Sequence, residues 1–246
     1  MAGIFASFDL GERAGEGLVM RKMIFLCRRL EGLSREDYGR RILNNHVPLA
    51  LEHHPSMRRY RVNLVERARG ESLVPVDSIA ELSFATREDF RERLYATEEG
   101  RRLITADTAT FLGSAAAYET TEYVQKTPDI PDQPKGASGR FKMIAILQRK
   151  EGQSREEFRR RWIEEHKPLA LEHHEGLVKY VANVVDAQLS AADLPIDGIS
   201  ELHFADEESF RTRMYTHPES RDIIAADTKK FIGKSCAWFV REYHFR

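Results

Sequence analysis

His46 and His166 each stand two residues before a proline, in the matching stretches NNHVPLALEHH and EEHKPLALEHH. A neutral imidazole at such a turn is a general base near pH 7 without any large shift of its pKa. The same ring can instead close a helix by bonding a free terminal carbonyl, and the sequence leaves both roles open. The pairs His53-His54 and His173-His174 invite a metal reading, but neighbours on a helix point about 100° apart and do not readily share an ion. Their spacing from Glu52 is not that of an HExxH zinc site. No metal site is expected; one ring of each pair should pack while the other meets solvent.

Glu81 and Glu201 interrupt the apolar runs SIAELSF and GISELHF. In a strand, Leu82 and Phe84 share one face while Ile79, Glu81 and Ser83 share the other. If the bulky pair faces helices, the carboxylate points to the opposite side. An acid in a dry pocket has its pKa raised and becomes a usable acid or base; the plainer alternative is an ion pair with an arginine across the sheet. His203 replaces Ser83 in the second stretch, so only there does a Glu-His pair arise, and this asymmetry points to one competent site. Tyr60 and Asn63, like Tyr180 and Asn183, are three residues apart and therefore on opposite strand faces. The amide suits a substrate carbonyl; the phenol suits either a substrate or the core. Asp107 and Asp227 are expected to tie down helix ends, and Cys27 and Cys236 to be packed thiols.

The chain has 246 residues, 41% apolar and 31% charged, with 38 Lys plus Arg against 39 Asp plus Glu and a net charge of −1. That is globular composition without the basic footprint of a nucleic-acid binder or a polybasic membrane anchor. No apolar run approaches the roughly 18–20 residues that cross a bilayer. The N-terminus lacks the basic start of a secretory signal and the Arg-rich pattern of a transit peptide. Two cysteines cannot make a disulfide framework. A soluble, reduced, cytoplasmic protein is expected. The absence of GxGxxG, P-loop and GxSxG patterns speaks against nucleotide cofactors and serine hydrolysis.

Shifted by 120 positions, the chain aligns with itself without a gap: KMIFLCRRLEGLSRED on KMIAILQRKEGQSREE, DSIAELSFA on DGISELHFA, ITADTATFLG on IAADTKKFIG. A period this long means two whole domains rather than a solenoid. The expected division is an N-terminal extension (1–21), a first domain (22–125), a Pro/Gly-rich linker (126–140) and a second domain (141–246). In each domain an apolar strand leads to SRED or SREE, read as a capping box, and to a helix that Pro48 or Pro168 should break or kink just after His46 or His166. Strands at 57–66 and 77–85 follow, then helices starting at TRED and ending near Phe111, and a last strand at 115–123, with counterparts 120 residues on. The order β-α-β-β-α-β is ferredoxin-like. Each four-stranded sheet has one face for its helices and another to be covered, and the second copy supplies the cover. The fold class is α+β, two such repeats forming an intrachain barrel.

The run GxSREEFxxxWxxxHxPLA, the Tyr…Asn strand, the DGIxELxF strand and the ADxxxF helix end resemble the EthD family of the dimeric α+β barrel superfamily. The resemblance covers 22–124 and 141–245. The first copy departs from it at Ile42, where the family often has Trp, and at Asn45, where an acid is common. It implies a small-molecule protein: members include an accessory protein of ether degradation and fungal polyketide-tailoring decarboxylases and dehydratases.

The expected function is a cofactor-independent acid/base enzyme, of dehydratase, decarboxylase or isomerase type, on a small hydrophobic aromatic or polyketide-like compound in the barrel cavity. His166, Glu201 and His203 are the expected catalytic set, His46 and Glu81 shape the other half, and Tyr60, Asn63, Tyr180 and Asn183 contact substrate. The alternative is a non-catalytic protein that binds a hydrophobic metabolite for a partner oxygenase. No nucleic acid, membrane or cofactor is expected; pairing of the chain into a homodimer is compatible with the pattern.

Overall fold

The structure, a computed structural model, describes residues 20–190 and 195–246; most of the expected N-terminal extension therefore lies outside the described residues. The first half runs β1 (Arg21–Arg29), α1 (Arg35–Arg41), α2 (Val47–His53), β2 (Met57–Arg69), β3 (Ser78–Phe84), α3 (Arg87–Arg91), α4 (Glu98–Thr108) and β4 (Leu112–Lys126). A two-residue β5 (Gly136–Ala137) leads into the second half. That half runs β6 (Phe141–Arg149), α5 (Arg155–Arg160), α6 (Lys167–His173), β7 (Leu177–Gln188), β8 (Gly198–Phe204), α7 (Glu207–Arg213), α8 (Ser220–Thr228) and β9 (Ile232–His244).

All pairings are antiparallel. The order β2-β3-β1-β4 continues through β4–β7 into β7-β8-β6-β9, and β9 pairs back onto β2, closing eight strands into a barrel. The expected intrachain α+β barrel is the observed fold. Alternating directions around the ring make β1 and β6 run the same way, so matching residues of the two halves lie at the same end.

Period-two alternation sorts the side chains. Ile24, Leu26 and Ile79 of the first half meet Ile144, Ile146 and Ile199 of the second inside the barrel. Met23, Tyr60, Val62 and Phe84 face outward, under Tyr38, Ile42, Phe90 and Ile104 of the helical layer. No helix among the described residues is long and apolar enough to cross a membrane.

Three local expectations are corrected. Of the break or kink expected at Pro48 and Pro168, no break occurs: π-helical turns at Ile42–His46 and Arg161–His166 lead without interruption into α2 and α6. Widening the ladder by one residue gives the proline ring room where it would collide with the carbonyl four residues back. Ser34 and Ser154 cap their helices by accepting from Asp37 N and Glu157 N, but the reciprocal box forms instead at Thr86 and Asp89. At Ser34 the acid is engaged otherwise, the hydroxyl donating to Asp37 Oδ2 at 2.7 Å. The 126–140 segment is not a bare linker. Its Asp132 takes Lys179 Nζ at 2.5 Å and an ion pair from Arg140, and its Gln133 carbonyl accepts from His244 Nδ1 at 2.8 Å. It lies across one end of the barrel.

The helical layers of the two halves are packed by coordinated substitutions. Trp162 stands where the first half has Ile42, and it fits because Gly198 stands where the first half has Ser78. A Cβ on Gly198 would collide with Trp162 Cζ3 and lie 3.2 Å from Phe158 Cζ. In the first half Ser78 Oγ instead hydrogen-bonds Tyr38 Oη at 2.8 Å. Overpacking of this kind costs about 1–3 kcal/mol. Gly198→Ser should therefore destabilise the protein by that amount in urea unfolding, and by clearly less when made in a Trp162→Ile background; strictly additive effects would show that the ring and the missing Cβ are not coupled.

Candidate functional site

The inward residues at the start of β1 and β6 and at the ends of β3, β8, β4 and β9 are charged. Lys22 Nζ lies 2.7 Å from Glu81 Oε2, 2.7 Å from Glu201 Oε1 and 2.8 Å from Glu122 Oε2. Lys142, its counterpart, lies 2.9 Å from Glu81 Oε1, 2.8 Å from Glu201 Oε2 and 2.7 Å from Glu242 Oε1. Each lysine thus bridges the central glutamate of its own half and that of the other. Asn63 Nδ2 donates to Glu81 Oε1 and Asn183 Nδ2 to Glu201 Oε1, both at 2.8 Å. Both lysines, both central glutamates and both asparagines are buried. The interior is filled by this charged layer and by the aliphatic layer beneath it. At this end Lys22, Arg59, Arg61, Glu81, Ser83 and Glu122 line a shallow notch too narrow to enclose a ligand.

This arrangement reverses the expected acidity of the central glutamates. Burial, and for Glu81 the charge of Glu201, favours protonation. Lys142 and Lys22 outweigh it, holding Glu81 down at about 2 and Glu201 well below the ordinary carboxylate range. Burial likewise opposes the charge on each lysine, and the surrounding glutamates overcome it. Both Glu81 and Glu201 are thereby kept ionised near neutral pH; the arginine partner weighed from the sequence is Arg61, at 3.9 Å from Glu81, secondary to the lysines.

His203 does lie beside Glu201, but its Nε2 is 3.7 Å from Glu201 Oε2 and its Nδ1 3.9 Å from Glu242 Oε2, both beyond hydrogen-bond reach. Burial pushes its pKa down to about 4.

His46 and His166 are on the other side of the sheet. His46 Nδ1 lies 2.9 Å from Asp107 Oδ2 of α4, and His166 Nδ1 lies 2.8 Å from Asp227 Oδ2 of α8. Each ring packs against the phenylalanine that follows, Phe111 at 5.0 Å and Phe231 at 5.3 Å between centroids. The carboxylate accepts from Nδ1–H, which leaves Nε2 with its lone pair, and neither Nε2 has a partner among the described residues. Burial lowers both imidazole pKa values, against the aspartate that raises them. Tyr60 and Tyr180 share this outer face. Trp162 Nε1 donates to Tyr180 Oη at 2.7 Å, whereas the Tyr60 hydroxyl has no partner among the described residues.

The expected set of His166, Glu201 and His203 is therefore not one site: the acid and His203 point into the barrel, His166 into the helical layer. Asn63 and Asn183 spend Nδ2 on the central glutamates and on a strand carbonyl, Ile79 O or Ile199 O at 3.0 Å, while their buried Oδ1 atoms have no hydrogen-bond partner among the described residues. Of each histidine pair, His54 and His174 are the packed members, with Nδ1 on Leu94 O at 3.0 Å and on Met214 O at 2.6 Å; the other members, His53 and His173, are half-buried. Sequence reasoning missed Lys22, Lys142, Glu122, Glu242 and His244. The signal was present, since Lys22 shares the inward parity of Ile24 and Leu26.

Two ferredoxin-like units closed face to face define a dimeric α+β barrel, here within one chain. The EthD domain model matches residues 30–115 and again 150–235, so the chain belongs to the EthD domain family. Solved structures share the architecture. An anthrone oxidase-like protein covers 94% of this chain and 93% of its own at a TM-score of 0.62 and 11% identity. A candidate monooxygenase from Fusobacterium nucleatum covers 91% and 92% at 0.57 and 10%, and one from Lactobacillus acidophilus 90% and 93% at 0.54 and 8%. At these identities the likeness is one of fold. No curated protein matches the sequence.

Removing one partner of a buried ion network leaves the others uncompensated and costs about 3–5 kcal/mol. Lys142→Met should lower stability by that order in chemical denaturation, whereas Arg102→Ala, which breaks an exposed pair with Glu99, should leave the midpoint in place; equal midpoints for Lys142→Met and wild type would show that the network contributes nothing. A second expectation concerns acid. Glu81 has a lower pKa folded than unfolded, so its stabilisation is present above the ordinary carboxylate range and is lost as pH falls from there toward about 2. Unfolding monitored by circular dichroism should set in below that range; a midpoint near pH 6 would contradict the assignment.

Proposed function

We propose that this chain is a small-molecule enzyme of proton-transfer type whose working base is the His46–Asp107 pair of the first repeat, acting at the boundary between helices and sheet. The observation that carries this is an imidazole oriented through Nδ1 by a carboxylate, with Nε2 unengaged. Asp107 fixes the tautomer and stabilises the imidazolium that forms when Nε2 takes a proton. The Tyr60 hydroxyl, unengaged on the same face, suits a developing oxyanion. In the second repeat the corresponding tyrosine is already held by Trp162, and His166 is more deeply buried than His46 (side-chain exposure 9% against 17%), which favours the first copy.

The substrate class is a small, largely apolar compound with an acidic C–H beside a carbonyl. Removal of that proton leaves an enolate, which can expel a β-hydroxyl as hydroxide, protonated to water by the imidazolium, or be reprotonated at another carbon. Decarboxylation of a β-keto acid reaches the same enolate by loss of carbon dioxide, and the ring then delivers the proton to carbon, all without a redox cofactor. An enolate of an electron-rich aromatic ketone also reacts with dioxygen, a route in keeping with the oxidase and monooxygenase names of the structural neighbours.

Turnover of a panel of aromatic and polyketide-like ketones, hydroxy-acids and lactones, followed by mass spectrometry and oxygen uptake, tests the proposal. His46→Ala and Asp107→Asn should each lose about 10²–10⁴-fold in kcat/KM, while His166→Ala stays within a few-fold of wild type. Full activity in His46→Ala would overturn it; retention of compounds by all variants with no turnover would favour a binding protein. Because burial holds the His46 pKa below 6.5, kcat/KM should be flat around neutrality and fall only on the acid side of the ordinary imidazole range. An acid limb centred above 6.5 would assign the base elsewhere.

A further inference from the structure

At the charged end of the barrel, the second half contains polar atoms that its hydrogen bonds leave over. Both ring nitrogens of His203, Glu201 Oε2, Glu242 Oε2 and His244 Nε2 are buried without a hydrogen-bond partner among the described residues. Glu201 Oε2 keeps its ion pair with Lys142, but His203 is fully buried and bonds to nothing, a rare state for an imidazole. We propose that Glu201, His203 and Glu242 hold one divalent transition-metal ion of the zinc type, with His244 beside Glu242 as the fourth donor.

The spacing fits such an ion. One ligand atom from each of Glu201, His203 and Glu242 can be chosen so that all lie within 4.8 Å of one another. His203 can offer one nitrogen to an ion, either Nε2, at 3.7 Å from Glu201 Oε2, or Nδ1, at 3.9 Å from Glu242 Oε2, and His244 Nε2 lies 3.0 Å from Glu242 Oε2. Donors at about 2.1 Å around a tetrahedral ion stand roughly 3.4 Å apart, so three atoms within 4.8 Å of one another can close on one ion through side-chain adjustment. The donor set, imidazole with carboxylate, is one that zinc and its neighbours accept.

His244 supplies a separate argument. Its Nδ1 lies 2.8 Å from the Gln133 carbonyl, which only accepts, so Nδ1 carries the proton. A neutral ring would turn the Nε2 lone pair toward the Glu242 carboxylate at 3.0 Å, a contact that is favourable only with a positive charge there, either a proton on Nε2 or a bound metal ion. A histidine whose other nitrogen donates to a backbone carbonyl is also the usual form of a metal ligand. Lys142 is engaged with Glu242 through Oε1 and leaves Oε2 to the ion. The first repeat has Ser83 and Val124 at the positions of His203 and His244, so the expected stoichiometry is one ion per chain.

The test uses the full chain, stripped with a chelator and reloaded with zinc(II) or cobalt(II) alone. Wild type should retain about one metal per chain through gel filtration, by elemental analysis. The cobalt form should show visible d–d absorption of a four-coordinate site, and zinc should raise the thermal midpoint. His203→Ser, which installs the residue of the first repeat, and His203→Gln should each weaken zinc binding at least 100-fold, whereas His173→Ala should bind as wild type. Wild-type protein that retains no metal would overturn the proposal whatever the variants do. So would a folded His203→Ser that binds one zinc as tightly as wild type, or a site lost with His173→Ala and kept with His203→Gln.

Discussion

Two lysines hold the two halves of this molecule in one register. Lys22 belongs to the first repeat and touches Glu201 of the second; Lys142 belongs to the second and touches Glu81 of the first. Neither half alone can neutralise its central glutamate fully, and charges taken out of water without partners are expensive. The barrel therefore closes with β1 and β6 facing each other across its interior or not at all, since a one-residue slip in any strand would turn its inward charge outward and an aliphatic residue inward. The aliphatic layer beneath supplies most of the burial, but it is nondirectional. Register is set by ammonium groups that each meet three carboxylates at 2.7–2.9 Å.

That constraint decides where chemistry can occur. A carboxylate bridged by two lysines is held in its ionised form, so the inward glutamates serve the closure of the barrel. The reverse holds one residue away on the same fold layer. Outward-facing groups meet helices rather than lysines, and there an aspartate on α4 or α8 pairs with a single imidazole whose burial keeps it neutral. One strand architecture thus presents two electrostatic regimes on its two faces, and on the outer one each imidazole is oriented by a single aspartate.

Much of this was legible in the sequence. The 120-residue self-match gives the repeat, alternation within SIAELSF gives the inward direction of Glu81, and the need of each sheet for a cover gives the barrel. What was not legible has a common cause: it depends on contacts between halves. The sign of the Glu81 and Glu201 shifts follows from lysines on strands that meet only after closure, one of them far away in the chain. The separation of His166 from Glu201 follows from which face of the sheet the π-helical turn overlies. The role of 126–140 follows from Asp132 meeting Lys179 and Arg140 once β7 is in place. Pro48 misled for a local reason, because a π turn is an alternative to a break and its cost depends on the packing that Ile42 and Val47 receive.

Fusion of the copies into one chain is what permits their differences. In a homodimer every inward substitution appears twice around the axis, so a bulky or charged change must be tolerated on both sides. Here the second side carries His203 and His244 beneath the 126–140 segment, and the first carries Ser83 and Val124 beside an open notch with Arg59 and Arg61 at its lip. The residues that close the barrel, Lys22 with Lys142, Glu81 with Glu201, Asn63 with Asn183 and Glu122 with Glu242, are identical in the two halves, as are the His–Asp pairs outside it. Divergence is confined to positions where one half can change without disturbing the shared lysine–glutamate layer. Trp162 with Gly198 against Ile42 with Ser78 is such an exchange: volume added on a helix is removed from the strand beneath it, and the closure of the barrel is untouched.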